Sequence, residues 1–336
     1  MLTRDLLLAL PKTELHVHLD GSLRPATMID LARDRNHPLP TSDPVELAHL
    51  MEARDGGSLE EYLERFAGMI ALMQRPEAME RVAYELAEDN ALENVRYMEV
   101  RFSPALHTRD GMSLVDAVEA PLRGLARARE RHGIRAALII CGIRNMDPAA
   151  SRELADLTVA FKDRGVVAFD LAGAEDNHPA KHHRDAFFTV INANMATTIH
   201  AGEAHGPKSI HQALHYCRAN RIGHGTRLYE DPELQSFVRD FRIPLEVCLT
   251  SNVQTRAVPS FEHHPLRRYF DAGLVVTLCT DNRLVSGTTL TDEYLRAHRH
   301  QGFTWEELKE VALMGFRSAF LPWDDKVEMV EGALAE

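Results

Sequence analysis

The chain has 336 residues, of which 45% are hydrophobic and 26% are charged, and its formal net charge at pH 7 is −12. This acidic balance argues against a nucleic-acid backbone as a partner, because phosphate binding needs clustered Lys and Arg, but it permits a single small nucleoside in a pocket. The length exceeds that of most single domains and is typical of a (β/α)8 barrel with insertions.

No segment predicts export or membrane insertion. The apolar run LLLAL at 6–10 is shorter than the core of a signal peptide and lacks a cleavage site, and no stretch reaches the length of a membrane span. The cysteines form no CxxC pair, and most lie in apolar, strand-like runs that favour small buried side chains. We therefore expect a reduced, cytoplasmic protein. The cysteines are Cys141, Cys217, Cys248 and Cys279.

The segment PKTELHVHLDGSL, residues 11–23, contains the first predicted strand. Residues 15–19 alternate between aliphatic side chains and the imidazoles of His16 and His18. Because side chains two positions apart share one face of a strand, both imidazoles point the same way. The turn-forming residues DGS then end the strand. The pair is either half of a metal site or two ordinary histidines on a polar face.

Residues 24–94 are predicted to form several helices, interrupted by a turn at Asp55-Gly56-Gly57. Ser58 and Glu61 then form the capping-box pattern that begins a helix. The apolar stripe of this helix, at helical spacing, is either ordinary core or a cover over a pocket. Its members are Leu59, Tyr62, Leu63, Phe66, Met69, Ile70 and Met73.

From residue 97 onward, predicted strands alternate with predicted helices. This alternation indicates a parallel sheet, and eight strands indicate a closed barrel. We therefore predict a (β/α)8 TIM barrel in one domain over residues 1–336, with a helical insertion after the first strand. Two extra helices follow, one after the capping-box pattern at Thr304–Glu307 and one after Pro322. The predicted strands are 15–19, 97–102, 137–141, 166–171, 197–200, 221–223, 245–248 and 275–279.

Chemistry in such barrels collects at the carboxyl ends of the strands, where distant parts of the sequence converge. Imidazole or carboxylate side chains follow strands one, five, six and eight, and four of them form a nitrogen-rich set suited to a zinc-like ion with an open position for water. Glu203, three residues after one candidate ligand, is placed to donate or accept a proton. The candidate ligands are His16, His18, His200 and Asp281.

Several motifs together resemble the adenosine deaminases of the amidohydrolase superfamily. They are PKTELHVHLDGSL at 11–23, HAGE at 200–203, IGHG at 222–225, SNVQT at 251–255 and TDN at 280–282, and the similarity runs nearly end to end. The HxE and PCxxC signature of the cytidine-deaminase type is missing from the sequence.

This resemblance implies a (β/α)8 barrel and hydrolytic deamination of a 6-aminopurine nucleoside with one zinc ion per subunit. Zinc-bound hydroxide would attack purine C6, and His224 would orient it and stabilise the developing charge. Asp281, besides ligating zinc, would accept the proton of the attacking group, and Glu203 would protonate purine N1. The implied contacts to the substrate are His18, Asp20 at the ribose 5′-hydroxyl, Gly173 at purine N3 and Asn282 at purine N7.

Asn282 departs from the pattern of the best-known relatives, which carry a second aspartate followed by proline. An Asn amide can donate to an unprotonated N7, so a purine stays compatible with this position. The departure leaves open adenosine, 2′-deoxyadenosine, adenine, a methylthio-nucleoside or 6-aminodeoxyfutalosine, a menaquinone precursor. The oligomeric state is left open as well.

Two other classes of function compete with deamination. An amidohydrolase that cleaves amides or phosphoesters often bridges two metals with a carboxylated lysine, but Lys162 and Lys181 fall in predicted helices and not at strand ends. A non-catalytic relative on the same scaffold would be expected to lack a ligand or Glu203, and none is missing.

Overall fold

The computed structural model describes residues 2–53 and 57–335. Its centre is a parallel sheet of eight strands that pair in the order of the sequence. A bridge between Val17 and Asp281 joins the last strand to the first, so the sheet curls into a nearly closed barrel. The TIM-barrel prediction is confirmed. The strands are β1 Lys12–His18, β2 Val95–Phe102, β3 Arg135–Ile143, β4 Val166–Ala172, β5 Ala196–Ala201, β6 Arg221–His224, β7 Leu245–Val247 and β8 Val276–Leu278.

Helices cover the outside of the barrel. They pack against the outward faces of the strands in a continuous apolar core, where each fully buried aliphatic side chain contributes about 1.5–3 kcal/mol. The helices are α1 Arg4–Ala9, α2 Pro25–Asp34, α3 Pro44–Met51, α4 Leu59–Glu64, α5 Phe66–Leu72, α6 Pro76–Leu92, α7 Leu114–His132, α8 Pro148–Ala160, α9 Arg184–Asn192, α10 Pro207–His215, α11 Pro232–Asp240, α12 Leu249–Gln254, α13 Leu266–Asp271, α14 Arg283–Ser286, α15 Leu290–Gln301, α16 Trp305–Ser318 and α17 Trp323–Ala335.

The inside of the barrel is charged. Arg101 donates to Asp170 at 3.0 Å and to Glu246 at 2.9 Å, and Arg221 donates to Glu246 at 2.6 Å and also to Glu99. All five side chains are buried, and each buried charge has an opposite partner, as buried ions require. These ion pairs brace the strands directly beneath the carboxyl ends, where the predicted site residues lie.

The helical insertion after β1 is confirmed in residues 25–92, with one difference. The helix predicted over 59–73 is divided at Arg65 into α4 and α5. The apolar stripe is both part of the core and a cover over a pocket, since Tyr62 and Phe66 are buried in the core and also border the cavity described below. Of the predicted turn at 55–57, residues 55 and 56 lie outside the described residues.

Both predicted capping boxes are present, at Ser58–Glu61 and at Thr304–Glu307. The two predicted C-terminal helices are α16 and α17, and the structure adds α14 and α15 between β8 and them. All four cysteines are buried and free in the described chain. Among the described residues, no helix has the length and apolar character that crossing a membrane requires. One domain over residues 1–336 stays a prediction.

Candidate active site

The barrel brings the four predicted metal ligands together at the carboxyl ends of β1, β5 and β8. Oδ1 of Asp281 lies 3.4 Å from Nε2 of His16 and 3.4 Å from Nε2 of His18. Nε2 of His18 lies 3.1 Å from Nε2 of His200. The β1–β8 closure sets this arrangement, because the backbone N–H of His18 donates to the carbonyl of Asp281 at 2.7 Å.

Buried carboxylates behind the histidines prepare their rings for a metal. Nδ1 of His16 lies 2.8 Å from Oε2 of Glu246, and Nδ1 of His200 lies 3.0 Å from Oδ2 of Asp170. A carboxylate accepts the Nδ1 proton, so Nε2 of each ring presents a lone pair to the centre. Nε2 of His16 is buried and has no hydrogen-bond partner among the described residues. A buried nitrogen without a hydrogen-bond partner, placed among other candidate donor atoms, fits the role of a metal ligand.

Burial keeps the imidazoles neutral. It lowers the pKa of His18 and His200 to about 4 and also lowers the pKa of His16. Burial raises the pKa of Asp281. The hydrogen bond with His16 and the charges of the neighbouring histidines outweigh this effect and hold the pKa well below the usual range. Three neutral imidazoles and one carboxylate are a donor set that fits Zn²⁺.

A fourth imidazole, that of His224, lies at the same centre. One potential ligand atom from each of four residues lies within 4.8 Å of the others, and this group contains His224 in place of His18. The backbones of His224 and Asp281 are left-handed, with φ of 64° and 61°, a conformation that is unusual for such residues and clusters at functional sites. Gly223 precedes His224 because a Cβ there would lie 3.0 Å from the ring of His16.

Glu203 points into the same space with a defined orientation. Its Oε1 accepts hydrogen bonds from Oγ1 of Thr255 at 2.9 Å and from Nδ2 of Asn252 at 3.3 Å. Its Oε2 lies 3.5 Å from Nε2 of His224. Burial raises the pKa of the Glu203 carboxyl, so the protonated form persists to higher pH than in an exposed glutamate. A carboxylic acid beside an apolar cavity is suited to donate a proton.

The loop that carries Glu203 is anchored by a second buried carboxylate. Glu175 accepts hydrogen bonds from four consecutive backbone N–H groups, those of residues 202–205, at distances from 2.6 to 3.0 Å. This cradle holds the Glu203 backbone in place after β5. These hydrogen bonds fix the position of the Glu203 backbone within the fold.

A cavity of about 220 Å³ opens above these side chains. The insertion forms its apolar wall through Leu59, Tyr62, Leu63, Phe66 and Ile70. Every predicted site residue lines it except His16, which lies behind the others. The predicted site residues in the lining are His18, Asp20, Gly173, His200, Glu203, His224, Asp281 and Asn282.

Sequence reasoning assigned no role to Glu246 and Arg101. Both occur within strands, and each alternates with apolar residues, as in LEVC at 245–248 and MEVRF at 98–102. Their alternation with apolar residues was a signal that could have identified them, because side chains two positions apart share one face of a strand. A charged side chain at such a position indicates a charged interior of the barrel. Asp170 falls at the end of the predicted strand 166–171, but the sequence does not show that its partner is His200.

Replacing Asp170 by Asn is expected to weaken metal binding by about 10- to 100-fold, because it removes the carboxylate that holds the Nδ1 proton of His200. Competition with a chelator of known affinity measures this change. Asp176→Asn, at an exposed position outside the cavity lining, is the matched control and should bind metal as the wild type does. Unchanged metal affinity in Asp170→Asn would refute the role of this carboxylate.

A barrel with imidazoles and a carboxylate at its strand ends is typical of hydrolases of the amidohydrolase superfamily. Comparison with known proteins specifies the family: the adenosine deaminase family model matches residues 11–335. An adenosine deaminase of Mycobacteroides abscessus is 42% identical over 96% of this chain and 94% of its own length. A probable adenosine deaminase of Dictyostelium discoideum is 41% identical over 95% of this chain, which spans 42% of that longer protein. The chain belongs to the adenosine deaminase family and is a hydrolytic aminohydrolase.

Solved structures with the same fold are also deaminases or related hydrolases. Adenine deaminase from Arthrobacter aurescens superposes with a TM-score of 0.91 at 27% identity, covering 97% of this chain and 99% of its own. An amidohydrolase from Burkholderia ambifaria with bound Zn has a TM-score of 0.89 at 27% identity, covering 100% and 96%. The Arabidopsis N6-mAMP deaminase has a TM-score of 0.88 at 29% identity, covering 99% and 100%.

Proposed function

We propose that this protein deaminates adenosine and 2′-deoxyadenosine, giving inosine and 2′-deoxyinosine plus ammonia, with one zinc ion per subunit. The observation that carries the proposal is that Glu203, whose pKa is raised by burial, lies 3.5 Å from His224 and lines the same cavity as His224 and Asp281. A proton donor, a hydrogen-bonding imidazole and a carboxylate base are the groups that hydrolytic replacement of an aromatic amine requires. The proposed zinc ligands are His16, His18, His200 and Asp281.

When bound, zinc lowers the pKa of water and supplies a nucleophilic oxygen near neutral pH. Glu203 gives its proton to purine N1, which withdraws electrons from C6 and makes that carbon electrophilic. His224 hydrogen-bonds the oxygen that adds to C6 and stabilises its charge. Asp281 takes a proton from the attacking water and passes it to the departing amine. As ammonia leaves and C6=O forms, the C6 hydroxyl gives its proton to the Glu203 carboxylate, and the product keeps the proton on N1. The apolar wall formed by α4 and α5 excludes bulk water while these transfers occur.

The walls of the cavity favour a nucleoside over a nucleotide. Among the described residues that line it, none is Lys or Arg, whereas Asp20 contributes a carboxylate. A 5′-phosphate would meet negative charge without a compensating cation, while a 5′-hydroxyl can donate to Asp20. This preference contrasts with the Arabidopsis relative, whose name assigns it to N6-mAMP.

Asn282 supports purine recognition. Its Nδ2 donates one hydrogen bond to the hydroxyl of Tyr62 at 3.1 Å, which leaves the second N–H for an acceptor such as purine N7. Gly173, with φ of 91°, places backbone at the cavity wall without a side chain, where purine N3 can approach it.

Ammonia release from adenosine, 2′-deoxyadenosine, adenine, 6-aminodeoxyfutalosine and AMP tests the substrate directly. We expect the zinc-loaded protein to turn over the first two nucleosides and to reject AMP, and the zinc-stripped protein to be inactive. Preference for 6-aminodeoxyfutalosine or adenine would retain the reaction and replace the substrate. Activity on none of the five would overturn the proposed function.

A further inference from the structure

The candidate metal centre has one imidazole more than the proposed ligand set of three histidines and one aspartate. His16, His18, His200 and His224 all face it, together with Asp281. Distance alone does not decide which imidazole stays unbound, since a group of close ligand atoms includes His224. The deciding property is which ring nitrogen carries the proton, because a protonated nitrogen donates a hydrogen bond and cannot ligate a metal.

A chain of hydrogen bonds that begins at a backbone amide determines this tautomer. The N–H of Leu266 donates to Nδ1 of His264 at 3.1 Å. A backbone N–H is always a donor, so Nδ1 of His264 carries no proton and the ring proton resides on Nε2. Burial, and next the charge of His224, lower the pKa of His264 to about 3, so this ring remains neutral.

The same logic orients the next side chain, Asn252. Nε2 of His264 lies 3.2 Å from Oδ1 of Asn252, which accepts its proton. The amide nitrogen of Asn252 therefore faces the other way and donates to Nδ1 of His224 at 3.0 Å and to Oε1 of Glu203 at 3.3 Å. Asn252 is fully buried, and each of its polar atoms has a partner, so the amide has no reason to flip.

At the end of the chain, Nδ1 of His224 accepts a hydrogen bond, so its proton resides on Nε2. That nitrogen faces Glu203 and the metal centre. We propose that His264 is a positioning residue that acts through Asn252 to hold His224 in the Nε2-protonated tautomer, so that His224 donates a hydrogen bond into the site instead of binding the metal.

This inference rests on the proposed function for its consequence, the stabilisation of the oxygen that adds to C6. In the opposite tautomer, Nε2 of His224 would present a lone pair and compete for the metal, and the oxygen would lose its donor. His264 does not line the cavity. It lies between a short 3₁₀ helix at Phe261–His263 and α13, outside every motif that the sequence analysis singled out.

Long-range proton–nitrogen NMR of zinc-loaded protein labelled with ¹⁵N-histidine tests the tautomer without measuring activity. The signals of His224 are assigned by their loss in His224→Asn. We expect Nε2 of His224 to be protonated and its Nδ1 to be unprotonated. We expect the same tautomer in His264, because the Leu266 amide donates to its Nδ1. A proton on Nδ1 of His224, or a metal-shifted Nε2, would overturn the proposal.

Two substitutions of His264 provide the kinetic test. Phe fills the space without a donor, whereas Gln retains an N–H near the position of Nε2. We expect His264→Phe to lower kcat by about 10- to 100-fold with little change in KM, and His264→Gln to restore most of the rate. Equal rates and equal His224 spectra in wild type and the Phe variant would refute the proposal, and thermal unfolding of both variants identifies simple damage to the fold.

The two experiments separate this inference from the function on which it rests. A protein that deaminates adenosine but protonates Nδ1 of His224 retains its function and refutes the positioning role. A protein with the expected tautomer that releases ammonia from no purine refutes the function and leaves the hydrogen-bond chain intact. Because the NMR test uses the wild type, it remains decisive even where a variant fails to fold.

Discussion

Glu203→Gln is expected to lower turnover by roughly 10²- to 10⁴-fold while metal content stays at the wild-type level. The amide has nearly the same shape and can still accept from Thr255 and Asn252, but it has no acidic proton to give to purine N1. Ammonia release under saturating substrate measures the rate, and elemental analysis of the purified protein measures the zinc.

A second buried glutamate provides the matched control. Glu293 is also fully buried with a raised pKa, but it accepts from Thr250 and Thr288 and does not line the cavity. Glu293→Gln should therefore keep near-normal turnover per folded molecule. A near-normal rate in Glu203→Gln would show that this carboxyl is not the proton donor.

The pH dependence follows from the same group. Burial raises the pKa of Glu203, and only its protonated form can protonate N1. In the wild type, kcat/KM should therefore fall as the pH rises through the pKa of Glu203, and this alkaline decline should disappear from the residual activity of Glu203→Gln.

Asp281→Ala is expected to lower the zinc content and abolish activity together. The substitution removes the carboxylate whose Oδ1 lies 3.4 Å from Nε2 of both His16 and His18, and also the proposed acceptor of the proton from the attacking water. The loss of one of four ligands should leave zinc below full occupancy after dialysis. Metal analysis and ammonia release on the same sample measure both effects.

Ser251→Ala tests the hydrogen bond that orients Asp281 separately from the Asp281 carboxylate itself. The Ser251 hydroxyl donates to Oδ2 of Asp281 at 2.5 Å, so this variant removes a hydrogen bond and keeps the carboxylate. We expect it to retain zinc with an affinity reduced by about 10- to 100-fold. An Asp281→Ala protein that is fully metallated would refute the ligand assignment of this residue.

The strand-end residues could be predicted because they follow local rules. Alternation in LHVHL places His16 and His18 on one face, and barrel topology brings the end of every strand to the same rim. The capping boxes at 58–61 and 304–307 were equally local, since each involves residues three apart. The division of the 59–73 helix at Arg65 was not predicted, because the apolar stripe continues at helical spacing through the break.

The partners of the site residues could not be predicted. His16 and Glu246 are 230 positions apart, and His224 depends on Asn252 and through it on His264. Nothing near these residues in the chain specifies their contacts, which follow from the register of the strands and the position of α12 after β7. Hydrogen-bond direction, and with it the tautomer, exists only once donors and acceptors are brought face to face.

The sequence by itself therefore determined the barrel, the family and the candidate metal ligands, because strand periodicity, turns and motifs involve residues that are close together in the chain. Only the tertiary structure decided that Glu203 is buried beside His224, that charged pairs fill the barrel beneath the site, and which imidazole nitrogen faces it. Burial and pairing set those properties, and both arise from contacts between segments that are distant along the chain.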